Sequence, residues 1–434
     1  MAVYTVLEHE YVAPVGCWTE APARVTLIPV DFFDWLYAAA EETLDRALKP
    51  AIYQRKSVLK LQQFVGLIQS PGGDQLEILP KTTRLDSETG VQAGRQLLVQ
   101  MLQQVPEFPQ FLSWQAHVAL ASWPLWSLWV GQMLAAVAQV VRHGLRSAYG
   151  EQEGQQTVLR GRLLVAEQVR HNSLHRERLY CRFPVYTQDR AENRLLHRLL
   201  HELSRQPLNA GQHQQLRQLR LHFEGIPVSL DWRRDWRAVQ LARGMTAYRT
   251  ALDWLYWLLT RQMPITTVGA AAGWSLLLDM NRLFEHAVAR QLRPGLPPGW
   301  QLREQGKGRY LFHQALHELV PDLLLCDPQG RVVALLDAKW KRLEHADPLQ
   351  AGKLDRADLF QMKAYAMAYL PQGGPILLVY PSTAQFLAPS AWAPFAHLPQ
   401  CRLRAVPLDP LAETPPHWLA EGLASTLDSA AALG

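Results

Sequence analysis

Two apolar runs in the last third of the chain restrict its fold more than any other feature. Val320-Pro-Asp-Leu-Leu-Leu-Cys326 and Val332-Val-Ala-Leu-Leu-Asp-Ala-Lys-Trp340 are rich in Val and Leu and of strand length, and Asp327-Pro-Gln-Gly330 between them is turn chemistry. Together they predict a hairpin. Each run nevertheless carries ionisable groups, Asp322 on the first and Asp337 and Lys339 on the second. Side chains alternate along a strand, so Asp337 and Lys339 share one face while Leu336 and Ala338 take the other and can pack under a helix. Carboxylates and an ammonium in such strands are costly to bury unless they are paired or hold an ion. A blander reading of the same residues is a turn-starting Asp322 and a cross-strand ion pair of Asp337 with Lys339.

Two neighbouring aspartates repel, and a divalent cation between them removes the repulsion; hard Mg²⁺ prefers oxygen ligands. The chemistry that fits is phosphodiester hydrolysis, with the metal polarising a phosphoryl oxygen and lowering the pKa of a bound water. Lys339 would orient or deprotonate that water, or neutralise charge building in the transition state. The Gln361 carboxamide is a neutral candidate for holding water or substrate, and Gln361, Tyr365 and Tyr369 fall on one face of a helix expected from Asp355 to Tyr369. A further carboxylate, Glu285, falls beside the apolar stripe of a helix expected over Ser275–Leu292, where it can look along the sheet edge into the same pocket.

The chain has 434 residues, 48% hydrophobic and 19% charged, which excludes a wholly disordered, collagen-like or coiled-coil rod architecture. The net charge of +5 permits a nucleic-acid partner without demanding one. Cys17, Cys181, Cys326 and Cys401 are far apart and form no C-x-x-C pair, so a zinc ribbon is unsupported. With no signal peptide visible either, the expected location is cytoplasmic.

Strand, turn and strand are expected over Phe64–Lys81, and helices from Asp31 towards Pro50 and over Gln92–Gln104. A basic middle should hold strands at Val158–Val169 and Leu179–Tyr186 and helices at Glu192–Arg205, Gln212–His222 and Met245–Gln262. Its arginines are either a solvated surface or one facing phosphates or an acidic partner. The expected domains are 1–150 (N-terminal, partner-docking), 151–270 (basic middle) and 271–434. The last alternates strands and helices as an α/β domain with a mixed sheet flanked by helices. Pro109 to Val141 contains no Asp, Glu, Lys or Arg. Its length would span a bilayer, but Pro124 and several Gln residues favour a Trp-rich loop followed by a buried helix over about Ser127–Tyr149.

Pro321-Asp322 followed by Asp337-x-Lys339 resembles the PD-(D/E)xK nuclease signature, and helix Glu285 before it and Gln361-x-x-x-Tyr365 after it resemble the extended form. More narrowly, the chain resembles the McrC family, the nuclease subunit of McrBC-type modification-dependent restriction systems. Leu76-Glu-Ile-Leu-Pro-Lys81, Arg142-His-Gly-Leu-Arg-Ser-Ala-Tyr149, Arg160-Gly-Arg162, Asp189 to Asn193, Asp279-Met-Asn-Arg-Leu-Phe-Glu285, Leu336-Asp-Ala-Lys-Trp-Lys341 and Leu378-Val-Tyr-Pro381 carry that likeness, over roughly residues 60 to 385.

The resemblance implies a restriction-endonuclease-like C-terminal fold. It implies Asp322, Asp337, Lys339, Glu285 and Gln361 as site residues with Tyr365 in support, and Asp322, Asp337 and Glu285 around Mg²⁺. It implies a hexameric AAA+ GTPase partner, McrB-like, that binds the GTP and recognises modified cytosine in double-stranded DNA. The chain itself has no G-x-x-x-x-G-K-[ST]. Other readings are a catalytically idle regulator of the AAA+ ring, a stand-alone PD-(D/E)xK nuclease, and a membrane protein resting on the uncharged stretch alone.

Overall fold

The computed structural model describes residues 2–83, 85–105, 108–109, 123–175, 177–261, 263–265, 273–312, 314–412 and 414–419. Its contacts divide the chain into one unit of Met1–Phe108 with Met263–Gly434 and a second of Pro109–Gln262. These divisions differ from the expected ones at 150 and 270. The reason is strand pairing, since chain after residue 262 returns to complete a sheet begun before residue 80.

The first unit opens with β1 (Val3–Leu7), β2 (Tyr11–Pro14), β3 (Val25–Ile28), α1 (Val30–Glu42), β4 (Leu48–Tyr53), β5 (Lys56–Leu61), β6 (Phe64–Gln69), β7 (Gln75–Leu79) and α2 (Glu88–Gln103). Strands β2 to β5 make a four-stranded sheet in the order β3-β2-β5-β4. One face buries Val12, Ile28, Leu48, Leu59 and Leu61 with Phe33, Leu36 and Ala39 of α1. Helix α2 starts where Ser87 caps the amide of Gly90, and its Arg95 forms a buried ion pair with Glu77 of β7 at 2.7 Å.

The second unit is mainly helical: α3 (Leu125–Arg142), β8 (Ala148–Gln156), β9 (Arg162–Leu163), α4 (Val165–Asn172), β10 (Leu179–Thr187), α5 (Ala191–Leu203), α6 (Ala210–Leu221), α7 (Trp232–Ala238) and α8 (Thr246–Arg261). Trp126 and Trp129 on α3 are buried, and Trp129 meets Trp257 of α8 edge-on at 5.2 Å. The described part of the Trp-rich stretch is therefore largely core, while Trp114 and its neighbours lie outside the described residues. No helix among the described residues is long and apolar enough to cross a membrane.

Two expectations fail in this unit. The helix expected to reach Tyr149 stops at Arg142, and Ala148–Gln156 pairs antiparallel with β10 instead. Val158–Val169 is a two-residue strand followed by a helix, because Gly161 turns the chain at φ +69 against the Arg182 carbonyl, where a Cβ would stand at 2.3 Å. Many of its arginines are internally paired, as in Arg182 with Glu153 and Arg194 with Asp189 and Asp235.

Back in the first unit come β11 (Met263–Ile265), β12 (Gly273–Asp279), α9 (Met280–Leu292), β13 (Gln301–Glu304), β14 (Leu323–Cys326), β15 (Val332–Ala338), α10 (Arg356–Tyr369), β16 (Gly374–Pro381), β17 (Ala393–Phe395) and β18 (Leu398–Leu408). The expected helix over Ser275–Leu292 is a strand as far as Asp279, which caps α9 through the amide of Asn281. The run Trp274-Ser-Leu-Leu-Leu278 is apolar on both faces, and β12 is an interior strand of the five-stranded sheet β1-β7-β6-β12-β11. Tyr310 makes an isolated bridge to Glu318, while His313 lies outside the described residues.

The C-terminal region forms the mixed six-stranded sheet β13-β14-β15-β16-β18-β17, with β15, β16 and β18 parallel. Helix α10 is the crossover between β15 and β16 and packs Met362, Tyr365, Ala366 and Tyr369 against Leu324, Leu335, Ile376 and Leu378. Helix α9 lies against the other face, where Phe284 meets Trp340 at 5.1 Å. The α/β class and a mixed sheet flanked by helices are as the sequence indicated.

Gly66 makes the β6–β12 pairing possible. Its φ is +126, and a Cβ there would stand 2.1 Å from the Leu276 carbonyl oxygen. Gly66→Ala is expected to destabilise the chain by more than about 1 kcal/mol, since an L side chain is strained at positive φ even without the clash. Denaturant unfolding measures this, and an unchanged midpoint would contradict the role given to Gly66.

Candidate active site

The β14–β15 hairpin brings the sequence-predicted residues together. Leu323 pairs with Leu336 and Leu324 with Leu335, so the register carried one step further sets Asp322 opposite Asp337. Asp322 Oδ2 accepts a 2.8 Å hydrogen bond from the Ala338 amide, between Asp337 and Lys339. Lys339 Nζ lies 2.6 Å from Asp337 Oδ2, donates to Gln361 Oε1 at 2.9 Å, and stands 3.7 Å from Asp358 Oδ1. Gln361 Nε2 donates to the Tyr365 hydroxyl at 2.8 Å, which donates to the Val320 carbonyl at 2.9 Å. Tyr369 donates to the neighbouring Leu319 carbonyl at 2.8 Å. Two tyrosines one turn apart on α10 thus anchor the segment that presents Pro321-Asp322.

Glu285, on α9, accepts a 3.0 Å bond from Gln305 Nε2 and is half-buried. Its pKa is raised by burial and by the charge of Asp337. Burial pushes the Asp322 carboxyl up to about 8, with further repulsion from Asp337 and Glu285. Asp337 is also raised by burial, although the ammonium of Lys339 opposes this. Burial alone would lower Lys339, but Asp337 outweighs it and its pKa rises, so Lys339 stays an ammonium.

Among the described residues no group of three or more His, Cys, Asp and Glu side chains stands ready as a metal cluster. The Asp322–Asp337 pair by itself suits Mg²⁺, which keeps most of its waters and is commonly held by one or two carboxylates plus substrate phosphates. The donor set is all oxygen, and two adjacent acids of which only Asp337 has a cation beside it fit such an ion. Glu285, with its Gln305 bond, stands further out.

Several participants carried no role in the sequence reading. Asp358 is buried and accepts from Lys341 Nζ at 2.7 Å, adding a negative charge behind Lys339. Trp340, whose indole faces away from the acids, donates to Glu8 Oε1 at 2.5 Å. Lys81 donates from its Nζ to the Trp340 carbonyl at 2.5 Å and from its amide to Glu8 Oε1 at 3.1 Å. The N-terminal sheet thereby grips the residue next to Lys339. Only the turn after β7, at Pro80-Lys81, hinted at this, and no spacing rule links Glu8 to a strand more than three hundred residues away.

A carboxyl whose folded-state pKa lies above its unfolded value gives stability that is complete below the unfolded value and lost as pH rises to the folded one. For Asp322 that window runs from about 4 to about 8. In EDTA, Asp322→Asn is therefore expected to gain thermal stability relative to the unaltered chain between pH 5 and pH 8, with Asn Oδ1 still accepting from Ala338. Melting curves at both pH values measure it, and a difference independent of pH would contradict the crowding of charge at this site.

The model of the family described as "McrBC 5-methylcytosine restriction system component" matches residues 59–381. No curated protein matches the chain. Among solved structures, the refined half-complex from a tetradecameric assembly of Thermococcus gammatolerans McrB AAA+ hexamers with bound McrC contains a chain similar to this one. The TM-score is 0.71 at 18% identity, covering 98% of this chain and 99% of that one. A chain in a cryo-EM structure of the Thermococcus gammatolerans McrBC complex aligns at TM-score 0.49 and 18% identity, over 70% of this chain and 89% of that one. With well over half its length matched by the family model, the chain belongs to the McrBC 5-methylcytosine restriction system component family.

Proposed function

We propose that this chain is the Mg²⁺-dependent endonuclease subunit of an McrBC-type restriction system and works with an AAA+ GTPase partner on modified double-stranded DNA. The observation that carries this reading is the convergence of Asp322, Asp337 and Lys339 on one face of a hairpin, with Gln361 bonded to the lysine. Bound Mg²⁺ would polarise a phosphoryl oxygen and lower the pKa of a water.

The residues divide the remaining work. Asp322 and Asp337 would hold the cation. Lys339 is kept charged by Asp337 and fixed in direction by Gln361, which suits it to neutralise charge on the phosphate rather than to take a proton. Tyr365 and Tyr369 hold the Asp322 segment in place. The reaction is hydrolysis: the water oxygen bonds to phosphorus, one phosphorus–oxygen ester bond breaks, and the water's proton leaves with solvent or the departing oxygen.

This complete constellation favours an active subunit over an idle regulator. The family match and the McrC named in the similar assembly favour a partnered nuclease over a stand-alone one.

Asp337→Asn and Lys339→Ala are each expected to lower cleavage of methylated DNA by about 10²–10³-fold, the cost of losing one preorganised charge-stabilising group. Both should leave stimulation of the partner's GTP hydrolysis intact. A gel cleavage assay with the partner GTPase, run beside a phosphate-release assay, reads both quantities. Cleavage surviving both substitutions would refute the site, and equal loss of both activities would favour the regulator.

A further inference from the structure

Among the described residues, α1 covers one face of the sheet β3-β2-β5-β4. The opposite face follows from the pairing register: Val25 with Tyr11, Tyr11 with Lys60, Lys60 with Lys49, Ala51 with Val58, and Tyr53 with Lys56. Residues directly opposite in a pair point the same way. This face therefore presents Lys49, Lys56, Lys60, Tyr11 and Tyr53 around a small core of Ala13, Val25 and Val58, over which Trp18 also packs.

No Asp or Glu occurs in the four strands. Lys49 and Lys60 stand directly opposite one another, with no ion-pair partner for either among the described residues. Like charges so placed are unfavourable in the folded protein alone. An anion laid across them reverses the sign of that interaction.

The cations continue beyond the sheet. Arg24, which donates to the His9 carbonyl at 3.2 Å, crowds the His9 ring together with Lys60 and Lys81. Arg342 Nη1 reaches the Lys81 carbonyl at 3.5 Å, but the cations at this end face acids, Lys81 with Glu8, Lys341 with Asp355 and Asp358, and Arg342 with Glu344.

The ring faces on this surface are partly taken. Tyr11 and Tyr53 stack on each other at 4.7 Å, and Lys56 Nζ lies 4.6 Å over Trp18. What the surface offers is charge and hydroxyl groups rather than free platforms for unstacked bases. We infer that the Lys49–Lys60 face of this sheet is a duplex-DNA surface, binding the sugar–phosphate backbone that flanks the segment held at the nuclease site. This rests on the nuclease reading for the identity of the ligand. The binding it predicts is measured without catalysis.

The test is duplex binding by the full-length chain in EDTA, followed by fluorescence anisotropy across a salt series, with a single strand of the same length in parallel. Lys49→Gln with Lys60→Gln is expected to weaken duplex binding and to reduce the slope of log affinity against log salt by about 0.9 for each lysine removed. Lys60→Arg should keep the slope. The thermal midpoint of the double variant should not fall, since the substitutions remove a repulsion. Unchanged affinity and slope would overturn the proposal, and so would an effect confined to the single strand. An inactive nuclease site would leave this measurement as it is, so the two readings fail separately.

Discussion

Repulsion between two acids set opposite each other in an apolar hairpin is the constraint around which the C-terminal region is organised. Asp322 and Asp337 are brought together by strand register, and no local choice of rotamer separates them while Leu323 and Leu324 keep their partners. The surroundings respond in graded fashion. The Ala338 amide satisfies one oxygen of Asp322, Lys339 balances Asp337, and Gln361 holds the lysine where it is. The uncompensated remainder appears as the raised pKa of Asp322. Charge held in this way is poorly suited to stability and well suited to a cation and a phosphate.

The site is supported from both faces of its sheet. On one face α10 supplies Gln361, bonded to Lys339, and Tyr365 and Tyr369, whose hydroxyls tether the segment before Asp322. On the other, Trp340 is wedged between Phe284 of α9 and the Glu8–Lys81 pair of the N-terminal sheet. Because Trp340 directly follows Lys339, a displacement of β1 or β7 would be felt at the lysine within one residue. The early strands are in this sense part of the framework of this site, consistent with their placement in the same unit.

Much of this was legible in the chain. The hairpin, the helix from Asp355 and the shared face of Asp337 and Lys339 follow from period-two alternation, a Pro-Gly turn and i, i+4 spacing, all local rules. Glu285 was placed correctly relative to the apolar stripe, although the first turns of its expected helix are strand. Leu276, Leu277 and Leu278 read equally well as buried helix or buried strand. What decided the matter was the absence of a side chain on Gly66, which lets β12 pair closely with β6. A similar ambiguity affected Val158–Val169, where Gly161 imposes a turn.

By itself, the amino-acid sequence determined which residue types could carry the chemistry, their order, and the face each takes on its own strand or helix, because these depend on backbone periodicity and neighbours a few residues away. Only the tertiary structure decided that Asp358 stands behind Lys339, that Glu8 and Lys81 clasp Trp340, and that Lys49 faces Lys60. Those juxtapositions depend on sheet register and on pairing between segments far apart in the chain, and no local pattern encodes them.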